Sequence, residues 1–456
     1  MMRRAYGLSL WIVFCCTSLA NGAAPEPTPE KPGQNAAQLQ KAKDSDYELY
    51  KVLIDTLDQV ERNYVTEVNR RELIEAAIRG ALGKLDPYST YIGPDDLCRF
   101  RTSVESEFGG IGIQISMDDG QLRILSPMVG TPAYRAGLMA GDRIVEIDGK
   151  STDGLTLDEA IDRLKGAEGT SVTLTVIHCG KESKQKIAVT REKIHVDTVL
   201  GDRRKADDAW DFMLDQKQRI GYLRVTAFSR DTAGELQRAL AQLQTEKLRG
   251  LILDLRFDPG GLLSAAIEVS DLFISEGRIV STKGRNSPER AWDARKEGTF
   301  EGFPLVVLVN RFSASAGEIV AACLQDHKRA LIVGERTWGK GSVQNVIELE
   351  NGRSALKLTT ASYRRPNGKN IHRFPDAKDT DEWGVMPDKG FAIKLGDSEM
   401  LGLIQDRRAR DILQPPGKNG GAAKPATPAK SGEEPFVDRQ LQAAVKYLTT
   451  ELAKAQ

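Results

Sequence analysis

The run Pro304-Leu-Val-Val-Leu-Val-Asn310, followed almost at once by Ser313-Ala-Ser-Ala-Gly-Glu-Ile-Val-Ala321, constrains the fold of this chain more than any other stretch. Unbroken apolarity bounded by turn residues is the mark of a strand buried on both faces. The small residues after it suit a sharp turn into a helix whose apolar face holds Ile319, Ala322, Cys323 and Leu324. Ser315 then falls at the N-terminus of that helix, where free N–H groups and the macrodipole favour a developing oxyanion. Further on, Trp338-Gly-Lys-Gly-Ser-Val-Gln344 sets one lysine between glycines. A serine nucleophile needs a base, and Lys340 can be one where burial keeps it neutral.

The neighbouring segments repeat the alternation. A strand over 219–225, a helix from about Thr232 with Leu236, Leu240 and Leu243 on one stripe, a buried strand over 250–255, a helix over 263–273 and a strand over 279–282 give α/β order. In that order the strand ends commonly carry the active-site loops. Residues 108–191 read differently, as short strands and turns with one capped helix, Thr156-Leu-Asp-Glu-Ala-Ile-Asp-Arg-Leu164. Gly109-Gly-Ile-Gly112 leads into the alternating Ile111, Ile113 and Ile115. N–H groups of a glycine loop can converge on a terminal carboxylate, and an extended peptide can add beside the following strand. This stretch resembles a PDZ domain. Gly109, Gly110, Ile111, Gly112, Ile113 and Leu157 are its candidate peptide-binding residues, and Leu157 could equally be core.

On Ser313-Ala-Ser-Ala-Gly-Glu318, Gly334-Glu-Arg-Thr-Trp-Gly-Lys-Gly-Ser-Val-Gln344, Asp254-Leu-Arg256 and Pro259-Gly-Gly-Leu-Leu263, the chain resembles the carboxyl-terminal processing (tail-specific) proteases. These are serine peptidases with a Ser-Lys dyad and an embedded PDZ domain, and the resemblance runs from about Leu49 to about Phe391. It implies a crotonase-like ββα spiral core with the PDZ domain inserted before it. It also implies Ser315 as nucleophile, with Ser313 structural, and Lys340 as general base. Gly317 departs from the pattern, since many members carry serine there.

The reference pKa of lysine is ~10.4, and a useful base sits at ~7–8. Burial among apolar neighbours supplies that shift. Gln344 can orient the amine by a hydrogen bond without adding a counter-charge. Ala316 N–H is one oxyanion donor, and Gly260 or Gly261 the second, because a residue without a side chain lets the backbone approach closely. Glu318 reads as the capping-box partner of Ser315.

At 456 residues, with 64 basic and 64 acidic side chains, no global charge argues for nucleic acid. The four histidines form no metal-ligand cluster, and no cofactor is expected. Met1-Met-Arg-Arg4, the apolar run 8–19 and Ala20-Asn-Gly-Ala-Ala24 read as a secretory signal peptide. The expected location is therefore exported: periplasmic, envelope-associated or secreted. Cys98, Cys179 and Cys323 are odd in number and scattered, which argues against a disulfide framework.

The expected order is signal peptide 1–22, flexible linker 23–44, helical region 45–98, PDZ domain 99–193, Ser-Lys protease core 194–396, end of the core 397–414, low-complexity linker 415–435 and a C-terminal helix 436–456. The helical region reads as a cap on a neighbouring core; in the resembled family it sometimes serves dimerisation, so a homo-oligomer is open. The polar stretch 373–382 looks like an insertion. The leading function is a serine endopeptidase acting on proteins or peptides with apolar or unstructured C-terminal tails. A non-catalytic PDZ-containing binding protein is the alternative. A Ser-His-Asp hydrolase is disfavoured, because no Gly-x-Ser-x-Gly elbow surrounds Ser315 and His327 lies about three turns along the same helix. An acyl-CoA enzyme is disfavoured by the signal peptide.

Overall fold

The computed structural model describes residues 32–97, 100, 107–413 and 436–454, with side chains from residue 47. The expected signal peptide and the low-complexity linker 415–435 lie outside the described residues. The chain divides into two compact units, Met1–Ala77 and Ile78–Gln456. In the first, the helix Pro32–Asn63 starts well inside the segment 23–44 that composition marks as a flexible linker. Ala36, Ala37, Gln38, Leu39, Gln40, Lys41 and Ala42 are strong helix formers. Pro32 stands where a helix tolerates proline. From residue 32 the backbone of that segment is therefore helical.

The second unit is built on a sheet ordered Val199–Leu200, Ile220–Val225, Gly250–Asp254, Leu305–Val309, Ala330–Gly334. The last four strands run parallel, and every residue of the middle three is buried. Burial on both faces is why these segments read as near-continuous apolar runs. Leu223, Leu253 and Val307 face one side with Leu236, Leu240, Val269, Ile319 and Val320, which come from the helices Thr232–Thr245, Leu263–Asp271 and Ala316–Asp326. The alternate residues Tyr222, Ile252, Val306 and Leu308 face Ala444, Leu448 and Leu452 of the C-terminal helix Arg439–Lys454. That helix is a structural layer of the core. Leu448 is 0 % exposed, so Leu448→Ala is expected to cost about 2–5 kcal/mol in denaturant unfolding.

A buried ionic cluster ties the strand end to both C-terminal helices. Arg256 holds Asp254 (2.7 Å) and Asp438 (2.8 Å), and Arg407, from the helix Asp397–Asp411, also meets Asp254. Burial opposes charge on Asp254, yet Arg256 and Arg407 hold its carboxyl well below the usual carboxylate range. The sequence marked 397–414 only as the end of the core; most of it is this helix.

A second, antiparallel sheet brings distant segments together. Ser354–Arg364 pairs with Ser342–Leu349, Arg278–Lys283 and Thr90–Ile92. Thr90 opposite Lys357 carries the turn at Asp86–Ser89 into the core. The insertion 373–382 is folded: Arg336 donates to the carbonyls of Asp379 and Trp383 (both 2.8 Å) and stacks 3.5 Å from the Trp383 ring centroid.

The PDZ domain is a sheet ordered Ile113–Asp118, Gln121–Pro127, Arg143–Ile147, Ser171–Ile177, Lys184–Thr190. The helix Leu157–Leu164 starts with a Thr156–Glu159 capping box. Glu107–Gly110 pairs with Glu192–His195 where the domain leaves and rejoins the core. There His195 meets Glu235 (2.7 Å), and its ligand atoms come within 4.8 Å of carboxylates from Glu107 and Asp231, or from Asp197 and Glu235. No local pattern announces this grouping, because its members come from separate segments. Cys179 and Cys323 are free thiols. No helix among the described residues is long and apolar enough to cross a membrane.

Candidate active site

Ser315 lies where the buried strand Leu305–Val309 has ended and the helix Ala316–Asp326 begins. Its backbone has φ 55°, a region a non-glycine residue occupies at a cost of about 1–3 kcal/mol. Such strain persists when surrounding contacts impose it, and here two buried groups do. Glu318, 0 % exposed, accepts the N–H of Ser315 and of Lys340 on Oε2, each at 2.8 Å. Its Oε1 accepts Gly339 N–H (2.7 Å) and Thr337 Oγ1 (2.5 Å). The Tyr363 hydroxyl lies 3.1 Å from the Ser315 carbonyl oxygen and 2.7 Å from that of Lys340. The two candidate residues thus share one carboxylate for their N–H groups and one phenol for their carbonyls.

Lys340 is half-buried, and its Nζ sits 4.8 Å from the ring centroid of Tyr88. Burial, then the like charge of Lys357, pushes its ammonium below the ordinary lysine range, while Glu318 and Asp86 pull the other way. No hydrogen bond joins Ser315 Oγ to Lys340 Nζ, or Lys340 Nζ to Gln344, in this structure. The Gln344 amide nitrogen is held instead by Ser342 Oγ (2.9 Å) and Thr359 Oγ1 (3.1 Å). The expected amine-to-amide bond is not made here; the two hydroxyls hold only the amide nitrogen and leave Oε1 without a partner among the described residues.

Ser313 is buried, and its hydroxyl donates to the Leu255 carbonyl at 2.8 Å, a structural use. Gly260 packs against Ser315: a Cβ there would stand 2.6 Å from Ser315 Cβ and 2.9 Å from Ala316 N. Its φ of 95° is a second reason that glycine occupies the position. The Gly260 N–H donates to Asp258 Oδ1 (2.7 Å). Those of Gly261 and Ala316 have no partner among the described residues.

In the PDZ domain, Gly109 and Gly110 belong to the strand Glu107–Gly110 and not to a loop. Their lack of a side chain serves packing, since a Cβ on Gly109 would fall 2.2 Å from Gly166 O. Ile111 is 2 % exposed in the domain core, so it presents no accessible pocket wall. Ile113, half-buried on the edge strand, and the exposed Leu157 on the helix provide the accessible apolar surface. A separate cavity of about 740 Å³ lies between the PDZ loop at Met128–Thr131 and the core residues Arg224, Phe257 and Arg407, away from Ser315 and Lys340.

Comparison with known proteins agrees with this layout. The profile of peptidase family S41 matches residues 219–388, that of the PDZ domain 123–177, and that of the activating protease CtpB N-terminal domain 13–95. A carboxy-terminal-processing protease of Bartonella bacilliformis is 40% identical over 409 residues, covering 88% of each chain. The chain belongs to the carboxy-terminal processing proteases. A second family member, from Synechocystis, is 37% identical over 76% of this chain and 78% of its own. The solved photosystem II D1 C-terminal processing protease is 28% identical, over 78% of this chain and 96% of that one, with a TM-score of 0.41.

For this carboxy-terminal processing protease, sequence reasoning missed Tyr88, Tyr363 and the full use of Glu318. Tyr88 arrives through the pairing of Thr90–Ile92, which no local pattern announces. Glu318 carried a signal in its spacing from Ser315, but its bonds to Thr337, Gly339 and Lys340 cross between segments.

Proposed function

We propose that this protein is an exported serine endopeptidase whose neutral Lys340 takes the proton of the Ser315 hydroxyl as Oγ attacks a peptide carbonyl. One observation carries the reading: Glu318 and Tyr363 fix the backbones of Ser315 and Lys340 to each other, at a strained position on a helix N-terminus. The oxyanion that forms would be held by the N–H groups of Ala316 and Gly261. Lys340, now an ammonium, would hand its proton to the leaving amine, and water would then release the acyl group from Ser315 with Lys340 again as base. Gln344, anchored by Ser342 and Thr359, offers its Oε1 to that ammonium. Export is inferred from the charged start and apolar run of residues 1–22. The test is cleavage of an unfolded protein with an apolar tail by the mature chain. The expected result is cleavage that is absent from Ser315→Ala, with labelling by a serine-reactive phosphonate that is lost in Lys340→Ala. Cleavage retained by Ser315→Ala would remove the assignment.

The PDZ domain is proposed to hold the substrate's free C-terminus beside the edge strand Ile113–Asp118, with Ile113 and Leu157 against apolar side chains. Amidating a substrate's C-terminus removes the charge that backbone N–H groups would bind. It is expected to raise the apparent KM about 10-fold or more. Charged residues appended to the tail should act in the same direction. If tail binding also assembles the site, kcat will fall as well. Equal kinetics for free-acid, amidated and charged-tail substrates would dismiss tail recognition and leave the peptidase.

A further inference from the structure

Beneath the Pro259-Gly-Gly261 turn lies a carboxyl group that the mechanism above leaves unused. Asp258 is 0 % exposed. Its Oδ1 accepts the Gly260 N–H at 2.7 Å, and its backbone carbonyl accepts the Ala314 N–H at 2.9 Å. It therefore joins the glycine turn to the loop that carries Ser315. Its Oδ2 has no hydrogen-bond partner among the described residues and faces the start of the serine helix, where a Cβ on Gly317 would stand 3.3 Å away. Gly261 forms a parallel bridge with Phe228, whose N–H and C=O bond to Gly260 C=O and Leu262 N–H. In that ladder geometry the N–H of Gly261 points to the opposite side.

We propose that Asp258 is a positioning residue of the oxyanion strand: its Oδ1 holds the Gly260 N–H from below and so fixes the direction in which Gly261 presents its own N–H beside Ser315. The inference rests on the peptidase reading.

Burial, and not the hydrogen bond itself, favours a neutral carboxyl here. An ionised Asp258 would be a buried charge facing one N–H and no cation, an arrangement proteins avoid. The charged groups around it are engaged elsewhere. Arg256 is spent on Asp254 and Asp438, and Arg407 on Asp254. Lys340 lies over Tyr88, and Glu318 faces the N–H groups of Ser315, Gly339 and Lys340. Burial accordingly pushes the Asp258 carboxyl well above the usual carboxylate range, with the Gly260 N–H the one opposing influence. The folded pKa lies above the unfolded one. The contribution to stability is therefore full below the unfolded value of ~3.9, and is lost as pH rises through the folded value. Ionisation at high pH should then loosen the turn and impose an alkaline limit on catalysis.

The test compares the wild type, Asp258→Asn and Asp258→Ala as full mature chains, with kcat, KM and Tm followed between about pH 4 and pH 10. Asparagine keeps an oxygen for Gly260 and cannot ionise. Asp258→Asn is expected to match the wild-type kcat within about threefold below the alkaline limb and to lack that limb. Its Tm advantage over the wild type should grow with pH. Asp258→Ala should lower kcat about 100-fold across the range, with KM within about threefold, as for a misdirected oxyanion donor. Superimposable pH profiles for the wild type and Asp258→Asn, or an unchanged kcat in Asp258→Ala, would overturn the proposal. No Ser315-dependent cleavage in the wild type would overturn the peptidase reading itself, a distinct outcome.

Discussion

Lys340→Arg is expected to lower kcat/KM about 10⁴-fold or more, as completely as Ser315→Ala, with little change in Tm. Arginine keeps the positive charge and much of the length, so any role for Lys340 as a fixed cation would survive the change. A guanidinium cannot be deprotonated in the working range, so a role as base would not. Wild-type activity should rise with pH along a limb set by loss of the Lys340 proton. That limb should lie below the ordinary lysine value, because burial and Lys357 both disfavour the ammonium. Lys357→Met removes the like charge and should move the limb to higher pH, while Ser315 labelling at saturating pH stays intact. A limb that does not move in Lys357→Met would assign it to another group. Appreciable turnover by Lys340→Arg would end the lysine-base assignment.

What could be read from the sequence follows the range of the interactions. The parallel strands were legible because burial on both faces leaves an unbroken apolar run, as at 304–310, and the serine helix because small residues and Glu318 sit at fixed local offsets. The start of the first helix was not, because Ala, Gln and Lys serve equally in a solvated helix and in a tether. Ile111 is not a pocket wall: alternation marks a face without saying which face is covered, and the core of the PDZ sheet covers it. The anchoring of Gln344 was not legible for a related reason: Thr359, which holds its amide nitrogen, lies on the partner strand Ser354–Arg364. Tyr88 and Tyr363 reach the site only through sheet pairing, and pairing partners are not written in local pattern.

Glu318→Ala is expected to be the most disruptive single substitution near the site that leaves both Ser315 and Lys340 in place. The carboxylate is fully buried and receives four donors: the N–H groups of Ser315, Gly339 and Lys340 and the hydroxyl of Thr337. Burial pushes its carboxyl above the usual range, while Thr337 and the three N–H groups pull it back. Removing the acceptor leaves those donors buried without partners, at about 1–3 kcal/mol for each that water cannot reach. The Tm should fall accordingly. The catalytic loss has a separate origin. Ser315 and Lys340 lie on different segments, and Glu318 with Tyr363 sets their separation. A displacement of about 1 Å between nucleophile and base costs about 100-fold in rate. Glu318→Gln separates the two effects. It fills the same volume but turns one acceptor into an NH₂ facing N–H donors, so kcat should fall about 100-fold even at a temperature where the variant is fully folded. Thr337→Val removes one donor to Glu318 and the acceptor of the buried Val385 N–H but leaves Ser315 and Lys340 on their shared oxygen, so it should cost about 1–3 kcal/mol of stability with kcat nearly unchanged. A folded Glu318→Gln enzyme with wild-type kcat would show that the relative position of Ser315 and Lys340 is set by something other than this carboxylate.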